Sequence, residues 1–399
     1  MRRISFVFAL ALCFSTLPLH AERDDDGDAE QKSVELTWMS IANWYFKAGS
    51  LKMVMDGYLT RVPSSVFVPS KQFPADQFAF TNATWPSNVT DVMRVRFALG
   101  ADNLDYLLAG HSHFDHTYDT AIWAALTGAQ IIGGQSTCYQ AESQGWPKSQ
   151  CTVVSGSWVT GHGERLQLAP DVTLRVVRFN HSGTDKNPIQ HFGRELSGPP
   201  IPDPATGGFK AGVGEDFPNG GGGRAFLFTV GLGRRRVSFF VNNSASPFDL
   251  DQPVTVNGES FGSPLENLSA AMRDAELTSV DAWIGTGGLA VAQLIVPVIH
   301  PKTYIPNHWD GLFNPFWPGL PFPFKDANLS AFLDRNGIQF LPQHQYFDGY
   351  RVEATGVTRL MNHKLKQRLG FSDVQPFTAA SVATAREVSA AMGPEDCDQ

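Results

Sequence analysis

Apolar residues run in short blocks along most of this chain, as is typical of β-strands with at least one buried face. SVELTWMSIANWYFKAG and SLKMVMDGYL predict the two strands of a hairpin, with its turn at residues 47–50. NLDYLLAG, at residues 103–110, is a continuous apolar run that predicts a buried strand. Later segments that predict strands are QIIGG, the pair ERLQLAP and DVTLRVVRFN, the hairpin RAFLFTVGLGRRRVSFFVNN, VDAWIG and TYIPNH.

Segments in which apolar residues have helical spacing lie between these strands. YDTAIWAALTGA places Ile122, Trp123 and Leu126 on one face, and PLENLSAAMRDAEL and AVAQLIVPVIH predict two more helices. Antiparallel strands come first and strands then alternate with helices, so we expect an α/β (α+β) fold with sheets inside and helices outside. Residues 62–90 are predicted to be irregular. The Gly- and Pro-rich stretch 183–223 is predicted to be a long loop, either functional or disordered.

The first 21 residues have the layout of a secretory signal peptide. Arg2 and Arg3 precede an apolar stretch that is too short to span a membrane, and small Ala21 precedes an acidic run. A buried N-terminal strand or helix is the alternative. Residues 22–33 are charged and predicted to be a disordered linker. We therefore expect an exported protein, periplasmic or extracellular, and we find no later apolar run long enough for a transmembrane segment.

Net charge and cysteine content indicate which partners the protein can have and whether it can form a disulfide. The chain has 31 basic and 39 acidic side chains, a net charge of −8, and no basic run, which argues against nucleic acid as a partner. In an oxidising compartment Cys138 and Cys151 could close a small loop as a disulfide; two buried free thiols are the alternative. Cys397 lies in a polar C-terminal tail, residues 366–399, and is expected to be unpaired. The oligomeric state is not predicted.

The densest chemistry of the sequence is in HSHFDHTYD, residues 111–119. His111, His113, Asp115 and His116 are crowded here, although the whole chain has only 11 histidines. Imidazole nitrogens and a carboxylate are ligands that Zn²⁺ prefers. One tetrahedral ion cannot easily take all four from a short loop, whereas two neighbouring ions could. A solvated or helix-capping cluster is the alternative, but packed imidazoles without a metal would repel one another when protonated.

Two other histidines stand where predicted strands run into polar loops. His181 follows TLRVVRF and begins HSGTD, and His308 follows TYIPN and begins HWDG. Active-site residues are often found at such transitions. With the first cluster in place, we predict that both histidines complete it as metal ligands.

These features together resemble the metallo-β-lactamase superfamily. HSHFDH matches its HxHxDH motif, and the order of a strand hairpin, this motif and two later histidines is similar over residues 34–345. IPNHWDG and IIGG resemble the branch of lactonase-like and phosphodiesterase-like hydrolases. The resemblance implies an αββα sandwich, two mixed sheets packed face to face with outer helices, over residues 34–365 with 183–223 inserted.

The resemblance also assigns ligands. His111, His113 and His181 would hold a first zinc ion, and Asp115, His116 and His308 a second. Asp56 would orient a ligand, with a plain turn aspartate as the alternative, and Asp310 is expected to support the site in the same way.

One position departs from the superfamily, which places an Asp that bridges both metals after a late strand. Here Asn243 falls there, and a neutral amide would be a weak bridge. The expectation is one or two zinc ions per chain, with the second site weakened. Asp249 is a possible substitute for the missing carboxylate.

The implied activity is hydrolysis of an ester, lactone or amide by a zinc-activated water, with Asp115 orienting that water and accepting its proton. The substrate would be a small molecule. The stretch DGLFNPFWPGLPFPF after His308 would form either a hydrophobic wall for an acyl group or packing beneath the loop. His191 could be a proton donor or a surface residue.

Other function classes stay open. A phosphodiesterase acting on a phospholipid-like or nucleotide-like substrate would need cations near the metals, and Arg224 and Lys210 are the candidates. A single-metal site would suit mononuclear-iron oxidative chemistry. A degenerate protein that binds metal without turnover is the non-enzymatic reading.

Overall fold

The computed structural model describes residues 33–68, 78–181, 194–218, 223–233, 236–253, 255–256 and 258–377. The predicted signal peptide, nearly all of the linker, His191, Cys397 and most of the C-terminal tail lie outside these residues. The predictions for them stay predictions.

The strands in chain order are β1 (Ser33–Ser40), β2 (Asn43–Ala48), β3 (Leu51–Met55), β4 (Phe67–Val68), β5 (Phe80–Thr81), β6 (Tyr106–Leu108), β7 (Gln130–Gly133), β8 (Cys151–Val153), β9 (Arg165–Ala169), β10 (Val172–Arg178), β11 (Arg224–Val230), β12 (Val237–Asn242), β13 (Thr255–Val256), β14 (Glu259–Ser260), β15 (Ala282–Gly285), β16 (Thr303–Pro306), β17 (Gln339–Phe340), β18 (Gly349–Glu353) and β19 (Gly356–Leu360). The helices are α1 (Val89–Leu99), α2 (Phe114–Thr117), α3 (Thr120–Thr127), α4 (Gln135–Ser143), α5 (Pro264–Asp274), α6 (Gly288–Ile299), α7 (Ala327–Arg335) and α8 (His363–Leu369).

Two large mixed sheets form the centre of the fold. The first has eight strands in the order β19-β18-β1-β2-β3-β6-β7-β8, antiparallel from β19 to β3 and parallel from β3 to β8. The second has seven strands in the order β17-β16-β15-β12-β11-β10-β9, parallel from β17 to β12 and antiparallel beyond. Parallel neighbours are joined through helices, as parallel pairing requires.

The two sheets pack face to face through one apolar core. Phe46 of β2 lies 6.0 Å from Phe228 of β11 and 5.9 Å from Phe239 of β12, measured between ring centroids. The same cluster contains Leu36, Met53 and other buried residues of both sheets. Packed inner faces of this kind are about 10 Å apart and exclude water.

Helices cover both outer faces. A second cluster joins Leu227, Phe240 and Trp283 on the far face of the second sheet to apolar residues of α5, α6 and α7. Apolar residues of α1 and α3, such as Val95 and Trp123, pack on the first sheet. The predicted fold class is therefore confirmed: it is an αββα sandwich.

The first predicted strand is in fact two. The chain reverses at Ile41, which has φ +45°, so that β1 and β2 pair with Leu36 opposite Phe46. The Asn43 amide donates to the Ser40 carbonyl and fixes this turn. The apolar run concealed the turn because both strands are buried and no Gly or Pro marks the reversal.

Helix α1 is a second difference, since residues 62–90 were predicted to be irregular and no helix was predicted directly after them. It begins at the Asn88 cap, whose side chain accepts from the Asp91 amide, and ends at Gly100 with φ +64°. Both are ordinary helix boundary signals. The helices predicted at α3, α5 and α6 are present, and Ser263 and Glu266 form a capping box at the start of α5.

The predicted disulfide is present, since Cys138 in α4 and Cys151 in β8 are bonded. The boundary expected after residue 365 falls inside α8, and Lys366 and Phe371 beyond it are buried. The packed domain therefore continues past that boundary. Among the described helices, none combines the length and apolar character that a membrane span requires.

Candidate metal centre

The HSHFDH segment crosses the edge of the first sheet directly after β6. Its backbone turns at Gly110, where a Cβ would collide with the Asn243 side chain. The extended His113 precedes the short helix α2 and accepts backbone hydrogen bonds from His116 and Thr117. All four candidate ligands of this segment are buried, namely His111, His113, Asp115 and His116.

The structure brings His181, which follows β10, to the first two histidines. One side-chain nitrogen from each of His111, His113 and His181 lies within 4.8 Å of the other two. Their ring centroids are 4.4 to 4.9 Å apart. The residues predicted for the first ion therefore form one compact group, which we call the histidine group.

Two nitrogens of the histidine group have no hydrogen-bond partner in the described protein. They are the buried Nε2 atoms of His111 and His113. Burial lowers the pKa of His113 to about 3, and burial together with the neighbouring imidazoles lowers the pKa of His111 well below its ordinary value. Both rings are therefore neutral near pH 7, with a nitrogen lone pair each.

Asp115, His116 and His308 form a second group, which we call the acidic group. One ligand atom of each lies within 4.8 Å of the others. Asp115 Oδ2 is 3.1 Å from His116 Nε2 and 3.0 Å from His308 Nε2. The two groups are adjacent, since the ring centroids of His111 and His116 are 4.0 Å apart.

Charges in the acidic group stabilise one another. Burial lowers the pKa of His116, but the carboxylates of Asp115 and Asp56 outweigh that effect and raise it to about 10. Burial raises the pKa of Asp115, but His116 and His308 hold it well below its usual range. In the metal-free protein His116 is therefore protonated and Asp115 ionised at neutral pH.

Asp56 contacts His116 of the acidic group. It follows β3 with φ +60°, and its Oδ2 lies 2.7 Å from His116 Nδ1 while its Oδ1 accepts from the Gly110 amide. A left-handed backbone at a non-glycine residue costs free energy and is common at functional sites. Asp56 thereby orients the His116 ring toward Asp115.

Asn243 follows β12, and its side chain reaches residues of both groups. Its amide contacts the Nδ1 side of His111, at 3.2 Å, and the Asp56 carboxylate, at 2.9 Å. It thus lies behind the ligand rings, on the side opposite to the unpaired His111 Nε2. Asp249, considered as a substitute, accepts a hydrogen bond from Asn180 and belongs to neither group among the described residues.

The loop after β16 that carries His308 is anchored from both sides. His308 has φ +58°, and its amide donates to the Ile41 carbonyl, while the Ile41 amide donates to Asp310 Oδ1. Asp310 also accepts from the Tyr346 hydroxyl and pairs with the buried Arg61. Asp310 therefore supports the His308 loop through its backbone.

Gln140 of α4 is a residue that the sequence did not indicate. Its amide donates to the Ser112 and Asp216 carbonyls and accepts from the Thr117 hydroxyl. It ties the metal motif to the long insertion, and the Ser112 hydroxyl also donates to the Pro218 carbonyl. A single Gln in a helix carries no pattern, so no sequence signal could have found it.

The aromatic stretch after His308 divides between two roles. Trp309 stacks on Trp38, and Phe316 and Trp317 pack against Phe371, which is core packing. Phe313 and Leu312 instead join a separate cluster that contains Phe114 of the metal motif. Most of this stretch is packing, and only the partly buried residues near Phe114 are available as a wall.

The groups fit a metal. Imidazole nitrogens and a carboxylate oxygen are zinc ligands, and two of the nitrogens are buried with no hydrogen-bond partner among the residues described. A buried polar atom without a partner costs free energy, which a bound cation would recover.

Comparisons with known proteins give only distant similarity. No family model and no curated protein matches the chain. The solved structures that are similar include Igni18, a metallo hydrolase from the hyperthermophilic archaeon Ignicoccus hospitalis KIN4/I, at 13% identity over 80% of this chain and 99% of that chain, with a TM-score of 0.44. An isothiocyanate hydrolase from Delia radicum gut bacteria has 12% identity over 79% of this chain and 98% of its own, with a TM-score of 0.43.

A third similar structure is CmlA, a diiron β-hydroxylase from Streptomyces venezuelae, at 11% identity over 83% of this chain and 54% of that one, with a TM-score of 0.40. We draw no functional conclusion from these three similarities, because their identities and TM-scores are low.

Proposed function

We propose that this chain is a metal-dependent hydrolase of the metallo-β-lactamase superfamily that cleaves an ester, lactone or amide bond. The observation that carries the proposal is the pair of adjacent ligand groups, in which two buried imidazole nitrogens lack a hydrogen-bond partner within the part of the chain that the structure describes. His111, His113 and His181 would hold a first ion, and the acidic group a second. The donor set suits zinc.

A zinc ion held there would lower the pKa of a coordinated water to near ~7 and polarise a substrate carbonyl. The chain's own contribution is Asp115. Its carboxylate is buried and ionised, so it can accept a hydrogen bond from an attacking water and take its proton. Asp56 keeps His116 turned toward the site.

A small substrate with an apolar acyl part suits the surroundings. Leu312 and Phe313 lie beside the His308 loop and pack with Phe114 between two ligands of the motif. The cations considered for a phosphodiester are otherwise engaged, since Arg224 pairs with Glu195 and Lys210 with Glu215. We therefore favour acyl over phosphoryl substrates.

Export belongs to the proposal as well. The Cys138–Cys151 disulfide supports it, because disulfides persist in oxidising compartments. Expression of the full chain, followed by N-terminal sequencing of the mature protein, tests this, with a start near residue 22 expected.

The activity is tested on protein stripped by chelation and reloaded with zinc. A panel of p-nitrophenyl esters, lactones and anilides is run beside bis-p-nitrophenyl phosphate, with His113→Ala as the metal-site variant. We expect zinc-dependent turnover of an acyl substrate that this variant lacks. Bound zinc without any turnover would favour a degenerate binding protein, and bound iron with colour would favour oxidative chemistry.

A further inference from the structure

One amide contacts both halves of the candidate metal centre. Asn243, at the end of β12, places its Oδ1 3.2 Å from His111 Nδ1 and its Nδ2 2.9 Å from Asp56 Oδ2. The same Asp56 oxygen lies 2.7 Å from His116 Nδ1. The Asn243 side chain is buried, so no water is needed to complete these contacts.

The hydrogen-bond donors and acceptors in this series of contacts can be assigned from the chemistry of the three side chains. The Asp56 carboxylate can only accept, so the nitrogen of the Asn243 amide must face it. That leaves the amide oxygen for His111, and an amide oxygen can only accept. His111 Nδ1 must therefore carry the proton, which puts the lone pair on Nε2, the atom for which the described residues offer no partner.

We propose that Asn243 is a positioning residue that holds His111 of the histidine group in the tautomer that binds metal and, through Asp56, orients His116 of the acidic group. The inference rests on the proposed metal site but not on its substrate. It makes Asn243 a replacement for the expected bridging carboxylate with a different role. An Asp at this position would bring two carboxylates to about 2.9 Å, where they would repel.

Close packing supports this role. Gly110 has no side chain, and a Cβ there would occupy the space of the Asn243 amide. The Gly110 amide donates to Asp56 Oδ1. The Asp56 carboxylate therefore connects the backbone at the start of the motif to the Asn243 side chain. The Asn243 side chain is thus packed directly against the backbone at the start of the motif.

The first test needs no metal. Protein labelled with ¹⁵N only in histidine is stripped of metal, and long-range ¹H–¹⁵N spectra report which ring nitrogen carries the proton; His111→Gln assigns the signal. We expect His111 as the Nδ1–H tautomer in the wild type and a gain of the Nε2–H tautomer in Asn243→Ala. An unchanged His111 tautomer in Asn243→Ala overturns the proposal.

The second test compares zinc affinity by chelator competition in Asn243→Ala, Asn243→Asp and the control Asn242→Asp. Asn242 is equally buried, but its oxygen accepts from Trp283 Nε1, away from the ligands. We expect Asn243→Ala to lower affinity about 10- to 100-fold and Asn243→Asp to weaken both ions further, with the control near wild type. If Asn243→Asp instead adds a tightly bound zinc ion, the residue is a bridging ligand and the proposal fails.

Two further controls distinguish a failure of this inference from misfolding of a variant and from a failure of the proposed function. Circular dichroism checks each variant, and Asn243→Ser replaces any that does not fold. A wild type that binds no divalent metal would remove the proposed function and this inference with it. A wild type that binds zinc and hydrolyses an acyl substrate, with Asn243 variants of equal affinity and tautomer, would remove this inference alone.

Discussion

The two ligand groups are neighbours, but they differ in whether their buried polar atoms have hydrogen-bond or ion-pair partners. In the histidine group His111 and His113 are neutral at neutral pH, and their Nε2 atoms have no hydrogen-bond partner among the described residues. In the acidic group Asp115 contacts both imidazoles, and His116 is protonated in the absence of metal. The His308 side chain is also 16% exposed, against 1% for His116.

This difference predicts unequal metal binding. A cation that binds His111 and His113 displaces no proton from either ring and meets two nitrogens that have no hydrogen-bond partner among the described residues. A cation entering the acidic group must expel the proton of His116 and separate contacts that already stabilise the fold. We infer that the histidine group fills first and that the acidic group fills second, with an affinity that depends on pH.

The largest effect should come from removing one ligand of each group. We expect His113→Ala to lose the tightly bound ion, with an affinity more than ~100-fold weaker, because ligand loss exceeds the effect of losing a supporting contact. His308→Ala should keep that ion and lose the weaker one. Elemental analysis after dialysis against a chelator-buffered solution of fixed free zinc concentration measures the zinc content of both variants.

His363→Ala is the matched control. His363 begins α8, its ring is exposed, and it pairs with the exposed Asp373. If His308→Ala loses the tighter ion, the order of filling that we infer is reversed.

The second prediction concerns protons. Because the pKa of His116 is raised to about 10, binding to the acidic group should release one proton and tighten about tenfold for each unit of pH between 6 and 8. Binding to the histidine group should change little over that range, since the pKa of His113 is about 3. Calorimetric zinc titration in buffers of different ionisation enthalpy counts the protons, and equal release at both steps would contradict the comparison.

A smaller effect is expected from Asp56→Asn. An amide keeps only one acceptor oxygen, so it cannot satisfy both the Gly110 amide and His116. We expect about a tenfold loss of affinity at the weaker step and a smaller loss at the tighter one. Zinc competition on Asp56→Asn measures both steps. A change confined to the tighter step would mean that Asp56 does not act through His116.

The last prediction concerns the stability of the metal-free protein. His111 and His113 have lowered pKa values in the folded state, so below pH ~6.5 only the unfolded chain takes up their protons. Their contribution is present above pH ~6.5 and is lost as the pH falls, by about 1.4 kcal/mol per pH unit for each ring. Urea unfolding at pH 7, 6 and 5 should show a shallower dependence in His113→Gln than in wild type. Equal slopes would mean that His113 is not held neutral.

Part of this site could be predicted because its signals are local. HSHFDH lies within six residues, and His181 and His308 each follow an apolar strand at a polar loop, so with the first cluster in place both were predicted to complete it. The role of Asp56 was implied only by the resemblance to the superfamily. The turn at Ile41 could not be, because apolar burial continues through both strands and hides the reversal.

The sequence by itself determined the layered fold, the disulfide as one of two readings, and the six candidate ligands. Residue type and strand periodicity act over short distances, and these features depend on little else. The tertiary structure decided how the six candidate ligands divide into two groups, and that the Asn243 amide lies behind the rings, 2.9 Å from Asp56. Hydrogen-bond partners and pKa values depend on atoms that are distant in the chain, and Asp56 and Asn243 are 187 residues apart.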